Sequence, residues 1–124
     1  MEAEAISLIL QKLHQHEWEW IGSDVLVYEL GQTEDVERKE RLLLLAGQSH
    51  QVVAMTEKIL TQAEKLAASG FDTYDAIHLA SAENAKVDVF LTTDDNMQKI
   101  ANRNKKMFSF VVVNPVTWLE EVLR

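Results

Sequence analysis

Ile6, Ile9, Leu10 and Leu13 recur at the three- and four-residue spacing of one helix face, in a stretch free of Gly and Pro. They predict an amphipathic helix over about residues 3–17. From Glu17 to Ile21 charged and large apolar residues alternate, with Trp18 and Trp20 on the apolar beat, before Gly22-Ser23-Asp24; this predicts a short strand feeding a helix that carries Glu29. Thr33, Glu34 and Asp35 open a further helix that closes at Gly47. Gln51 to Ala54 is a second short strand, and the helix over about residues 56–68 stops at Ser69-Gly70. Asp72-Thr73-Tyr74-Asp75 then opens an alanine-rich helix to about Ala85, in which Ala76, Ala80 and Ala82 allow a close approach to a sheet. Val87 to Leu91 and Phe108 to Val113 are apolar enough for strands buried on both faces. Between them Asp94 and Asp95 cap a helix to about Asn102. Asn114-Pro115 starts a final helix with Trp118, Leu119 and Val122 inward. Strands alternating with helices in this way predict an α/β fold of βαβ units, with a central parallel sheet between layers of helices.

Composition narrows the class. At 124 residues with 47% apolar side chains and one Pro, the chain is expected to be one domain, 1–124, with its own core. Its longest apolar run, Leu42 to Ala46, is far shorter than the roughly 20 residues of a membrane span. No export signal opens the chain, so a cytoplasmic protein is expected. Zero Cys removes thiolate metal sites, disulfides and cysteine nucleophiles. With a net charge of −8, the surface cannot bind nucleic acid by bulk electrostatics, so any such contact must be local or cation-mediated.

Carboxylates carry the candidate chemistry. In an open parallel sheet, ligands meet the chain beyond the carboxyl ends of the strands, and three acids fall there: Glu29, Asp75 and Asp94. Carboxylates gathered together repel unless a cation neutralises them, and a hard divalent ion, Mg²⁺ or Mn²⁺, suits such oxygen ligands. Each acid also has a plainer role open to it: helix capping accounts for Asp72-x-x-Asp75 and for Asp94-Asp95, and solvation for Glu29. His14, His16 and His50 are expected at the surface, and His78, one turn after Asp75, either packs or approaches the acids. Trp18 and Trp20 are expected to divide between core and surface, because neighbouring aromatics or basic residues that would make a stacking platform for bases are sparse. No phosphate-binding Gly loop, Gly-x-Ser-x-Gly or His-Glu-x-x-His is present, which disfavours nucleoside-triphosphate hydrolysis, serine esterase chemistry and zinc proteolysis.

The segment Phe71-Asp-Thr-Tyr-Asp75-Ala-Ile-His-Leu-Ala-Ser-Ala-Glu83, followed by Ala85-Lys-Val-Asp-Val-Phe-Leu-Thr-Thr-Asp94-Asp95, resembles the second half of a PIN domain. Ile21-Gly-Ser-Asp-Val-Leu-Val-Tyr-Glu29 is similar to that family's strand, Ser and Glu segment, and Val111 to Trp118 to its closing strand and helix. The resemblance implies a metal-dependent ribonuclease of the VapC-like toxin type, often dimeric and held inactive by an antitoxin. Carried over by position, Glu29, Asp75 and Asp94 match the family's catalytic, metal-binding acids, with Asp95 as an additional ligand and Ser23 and Thr92 beside them. In the chemistry this implies, the cation activates water for in-line attack on an RNA phosphodiester. Mg²⁺ or Mn²⁺ is the implied cofactor, and RNA, an antitoxin and a second copy of the chain are the implied partners.

One departure stands out. PIN domains open with an apolar strand ending in Asp, whereas Met1-Glu-Ala-Glu-Ala lies within what matches the family's first helix. A fragment, a gap filled by another strand or partner, or a degenerate non-catalytic interaction module would each account for it. The first two are compatible with Leu42 to Leu45 and the first helix contributing to a homodimer, although a core position for the leucines is the plainer reading.

Overall fold

The computed structural model describes residues 2–123; Met1 and Arg124, which the single-domain reading includes, lie outside the described residues. Helix α1 (Glu2–His14) buries Ala5 and Ile9, two members of one face four residues apart. It ends before His16, whose φ of 62° turns the chain, and Lys12 reaches past the turn to Glu17 at 2.9 Å.

Strand β1 (Ile21–Ser23) follows later than the alternating pattern predicts. The Trp18 ring leaves the strand path to pack on Trp118, with centroids 4.6 Å apart, so the alternation at 17–21 reflects a side chain seated between helices. Only at Trp20 does the backbone meet its neighbour, where the His50 N–H donates to the Trp20 carbonyl at 2.8 Å and the Trp20 N–H donates to His50 Nδ1 at 2.7 Å.

Capping residues set most of the later boundaries, because a side-chain oxygen that takes a first-turn N–H starts the helix behind itself. Ser23 caps α2 (Asp24–Gly31), Asp35 caps α3 (Val36–Ala46), and Thr56 caps α4 (Glu57–Ala68) after β2 (Gln51–Val53). Asp72 caps α5 (Thr73–Ala85), and Asp94 caps α6 (Asp95–Arg103) after β3 (Val89–Leu91). A single 3₁₀ turn at Lys105–Met107 leads to β4 (Val111–Val113), and Asn114 caps α7 (Pro115–Val122) with Pro at its first position.

Strand pairing is parallel throughout: β1 runs beside β2 with Ile21 opposite Gln51, and β3 beside β4 with Val89 opposite Val111. The fold is α/β as expected, yet among the described residues no ladder joins the two pairs, so the central sheet consists of two two-stranded parts. Parallel pairs of this size are not stable alone, and burial against helices holds them. Helix α5 supplies that support through Ala76, Leu79 and Ala80, all at most 1% exposed, which pack with Ile59 and Leu66 of α4 and with Val53 of β2. A smaller cluster joins α1 to α7 through Ala5, Ile9 and Leu119, with Leu91 of β3 against it.

Three burial expectations change. The strands at the second pair are shorter and more open than a fully covered sheet: β3 is half-buried throughout and Val111 is exposed. Phe108 and Phe110 leave the ladder and stack with Phe71 and Phe90, which shortens β4 to its three valines. Val122 faces solvent while Leu119 is buried, and in the leucine run Leu44 is 72% exposed while Leu42, Leu43 and Leu45 are half-buried, with only Ala46 of α3 fully buried.

Helix α4 closes through Gly70, whose φ of +109° lets its N–H reach the Ala67 carbonyl at 3.0 Å and turns Phe71 into the core. A β-carbon is strained at that φ, so Gly70→Ala is expected to lower stability by about 1–2 kcal/mol, read as a lower urea midpoint with an unchanged slope.

Candidate active site

The end of β3, the start of α5 and the later half of α2 deliver the acids. After β3 the chain passes Thr92, whose Oγ1 accepts the Asp94 N–H at 3.1 Å; Asp94 in turn accepts the Met97 N–H through Oδ1 at 3.1 Å. Gln98 braces the same turn by donating to the Thr92 and Asp94 carbonyls at 3.4 and 3.3 Å. Thr92 thus holds Asp94 at the strand end while one carboxylate oxygen caps α6. Asp95 stands in the first turn of α6 and is exposed.

Ser23, buried at the end of β1, uses its hydroxyl to accept the Leu26 N–H at 3.2 Å. That cap aims α2, and α2 carries Glu29 toward α5. Glu29 Oε1 lies 3.2 Å from His78 Nε2, an ion pair whenever the imidazole is protonated.

Asp75 sits between these groups in the first turn of α5. Its pKa is raised above the ordinary 3.8, first by burial of the carboxyl and then by the negative charges of Asp72 and Asp94, with Glu29 adding to the effect and His78 opposing it. Asp72 itself accepts the Tyr74 and Asp75 N–H groups at 2.9 and 3.3 Å, which is the capping role its position predicts. The structure therefore brings Asp94 and Glu29 each within electrostatic reach of Asp75. Among the described residues it does not close three Asp, Glu or His side chains around a common point.

The donor chemistry nevertheless fits a hard divalent cation. The carboxylates are oxygen ligands, and burial first and the neighbouring negative charges second disfavour ionisation of Asp75, a cost that a bound cation would offset. Asp94 keeps Oδ2 and Glu29 keeps Oε2 outside the hydrogen bonds just described.

Tyr28 and Tyr74 are the neighbours that sequence reasoning passed over, whereas a capping Asp72 and a His78 near the acids were among its expectations. Asp72 contributes charge as well as a cap, and His78 anchors Glu29. Tyr28 and Tyr74 stack with ring centroids 6.5 Å apart and planes 25° from parallel, joining α2 to α5. The available signal was adjacency: each Tyr directly precedes a candidate acid, Glu29 or Asp75. The Tyr74 hydroxyl is also held above its ordinary pKa of 10.0, by desolvation first and then by Tyr28 and Glu29.

Parallel strand pairs joined by helical crossovers, with Asp94 beyond β3 acting on Asp75 at the start of α5, define an α/β domain with a cluster of acidic side chains. The family model for the PIN domain matches residues 3–103, and the chain belongs to that family. The PIN domain points to nuclease activity and to contact with nucleic acid, and nucleases of this family generally use divalent metals. No curated protein and no solved structure gives a significant match to the chain. No helix among the described residues is long and apolar enough to cross a membrane.

Proposed function

We propose that this chain is an endoribonuclease of the PIN toxin type, dependent on Mg²⁺ or Mn²⁺. The observation that supports the reading is that the charges of Asp94 and Glu29, residues apart from Asp75 in sequence, act on its carboxyl. Glu29, Asp75 and Asp94 would hold the cation, with Asp95 beside them at the start of α6. When bound, the cation supplies positive charge that offsets the carboxylates and polarises an RNA phosphodiester. Thr92 keeps Asp94 at the strand end, the Ser23 cap aims α2, and His78 orients Glu29.

In this reading the protein is a cytoplasmic single domain whose partners are RNA, an antitoxin and a second copy of itself. The exposed Val36 and Leu44 of α3 support a protein partner there. The division of the sheet between β1 and β3 supports the absence of the family's opening strand, with its Asp, from these 124 residues. The same division, with the acids not closed on one point, favours a second reading: a PIN-like interaction module that binds a partner without cleaving RNA.

A mixture of single-stranded and structured RNAs, incubated with Mn²⁺, Mg²⁺ or chelator beside Asp94→Asn, separates the two. Asn preserves the α6 cap, so the variant tests charge and not folding. Cleavage that needs the cation and vanishes in the variant is expected. Cation-independent cleavage, or equal cleavage by Asp94→Asn, would overturn the nuclease assignment; a stable partner complex with no cleavage under either ion would favour the module.

A further inference from the structure

An acidic chain that acts on RNA must hold its substrate by something besides a basic surface, since phosphate neutralisation by Lys and Arg is the usual source of affinity. The net charge is −8, and the Lys105 and Lys106 pair follows the far end of α6, one nine-residue helix away from Asp94 and so roughly 13 Å along its axis. Base stacking is the alternative contact. It needs no positive charge, and it tolerates any sequence because every base has a π-face.

The Tyr28 and Tyr74 pair has the exposure and place for that contact. Tyr28 is 58% exposed and Tyr74 39%, so substantial ring surface remains open to solvent even though the two rings stack on each other. Aromatic rings packed only to brace two helices would be expected to turn their faces inward, as Phe71 does at 4% exposure in the core beneath. The pair also bridges the two helices that carry Glu29 and Asp75, each Tyr lying one residue before an acid. Although successive helical side chains diverge, the Glu29 charge acts on the Tyr74 hydroxyl, so a base resting on the platform lies near that carboxylate.

We propose that Tyr28 and Tyr74 form a stacking platform for an unpaired base of single-stranded RNA next to the candidate cleavage site. This rests on the nuclease reading for its orientation toward the acids, but base binding can be measured separately. The platform accepts a splayed, unstacked base and rejects continuous duplex, whose π-faces are covered. It contributes affinity shared by ground and transition states, so its loss raises KM and leaves kcat nearly unchanged.

The test uses the full chain in Mn²⁺ and a short single-stranded RNA that contains 2-aminopurine in cleavage-resistant linkages. Fluorescence quenching reports stacking, and parallel assays follow cleavage of ordinary RNA. Tyr28→Ala and Tyr74→Ala are each expected to weaken quenching-detected binding by roughly 10-fold or more, whereas the Phe variants, which keep the ring, retain it. Circular dichroism of each variant shows whether the helices are intact. Unchanged affinity in the Ala variants, equal binding of an abasic or fully duplex RNA, or no binding by the wild-type chain would overturn the platform. So would loss of quenching only when a basic peptide covers the pair, which would make it a protein-docking site. Stacking without any Mn²⁺-dependent cleavage would remove the nuclease reading and leave the platform; cleavage with an unchanged KM in the Ala variants would do the reverse.

Discussion

Asp75→Asn is expected to abolish the proposed Mn²⁺-dependent RNA cleavage and at the same time to raise the thermal midpoint of the cation-free protein. The first effect follows from removing a charged oxygen ligand: loss of outer partners of such ligands already costs about 10–100-fold in affinity or activity, and loss of the ligand is expected to exceed that. The second follows from linkage. Because the folded-state pKa of Asp75 is raised above 3.8, the folded protein holds this proton more tightly than the unfolded chain does. Its contribution to stability therefore falls as pH rises from 3.8 through the raised value, and above that window the ionised carboxylate disfavours the fold. Asn carries no charge to repel Asp72, Asp94 and Glu29, so the variant is more stable at neutral pH, and the gain shrinks as the medium is acidified. Added Mn²⁺ should raise the melting temperature of the wild-type chain, as any ligand of the native state does, and leave that of Asp75→Asn nearly unmoved. Cleavage within about twofold of wild type would refute the role of Asp75 as a ligand. A lower melting temperature would refute the repulsion.

Leu79→Ala produces the largest loss of stability expected from any single truncation in α5. Leu79 is fully buried at 0% exposure, in the cluster that seats α5 against α4 and the first strand pair. Truncating a buried Leu removes transfer free energy and leaves a cavity, together about 2–5 kcal/mol. A domain of this size holds only about 5–15 kcal/mol in all. Strands of three residues leave little ladder to compensate, so equilibrium urea unfolding should show a much lower midpoint, while Leu79→Met, which keeps the volume, costs under about 1.5 kcal/mol. Leu44→Ala is the control: at 72% exposure it should change stability by no more than about 0.5 kcal/mol. A midpoint for Leu79→Ala matching that of Leu44→Ala would show that α5 is not the keystone of the core. Because α5 also carries Asp75 and His78 on successive turns, Leu79→Ala lowers stability and activity together, whereas Asp75→Asn separates them.

The helices were legible because their signals are local. Asp35, Thr56, Asp72, Asp94 and Asn114 each cap the helix that follows, and a cap depends only on residues within one turn. Strand extents were less legible. The apolar runs at Val87 to Leu91 and Phe108 to Val113 each contain a true strand, but its length depends on which side chains the core draws out of the ladder, as it draws Phe108 and Phe110. At Trp18 the period-two alternation came from packing on Trp118, a residue a hundred positions away.

The same distinction runs through the candidate site. The amino-acid sequence by itself determined the α/β class, the parallel pairing and the places of Asp75 and Asp94 at helix starts, because hydrophobic period and capping chemistry act over short stretches, whereas Glu29 lies later in α2 than its early place in the predicted helix. Only the tertiary structure decided that the sheet divides into two ladders, that Leu44 faces outward from a half-buried leucine run, that Glu29 meets His78, and that Tyr28 stacks on Tyr74. Those outcomes depend on how α2 and α5 pack against a shared core, and contacts between helices so distant in sequence are set by the summed burial of many side chains, which no local window contains.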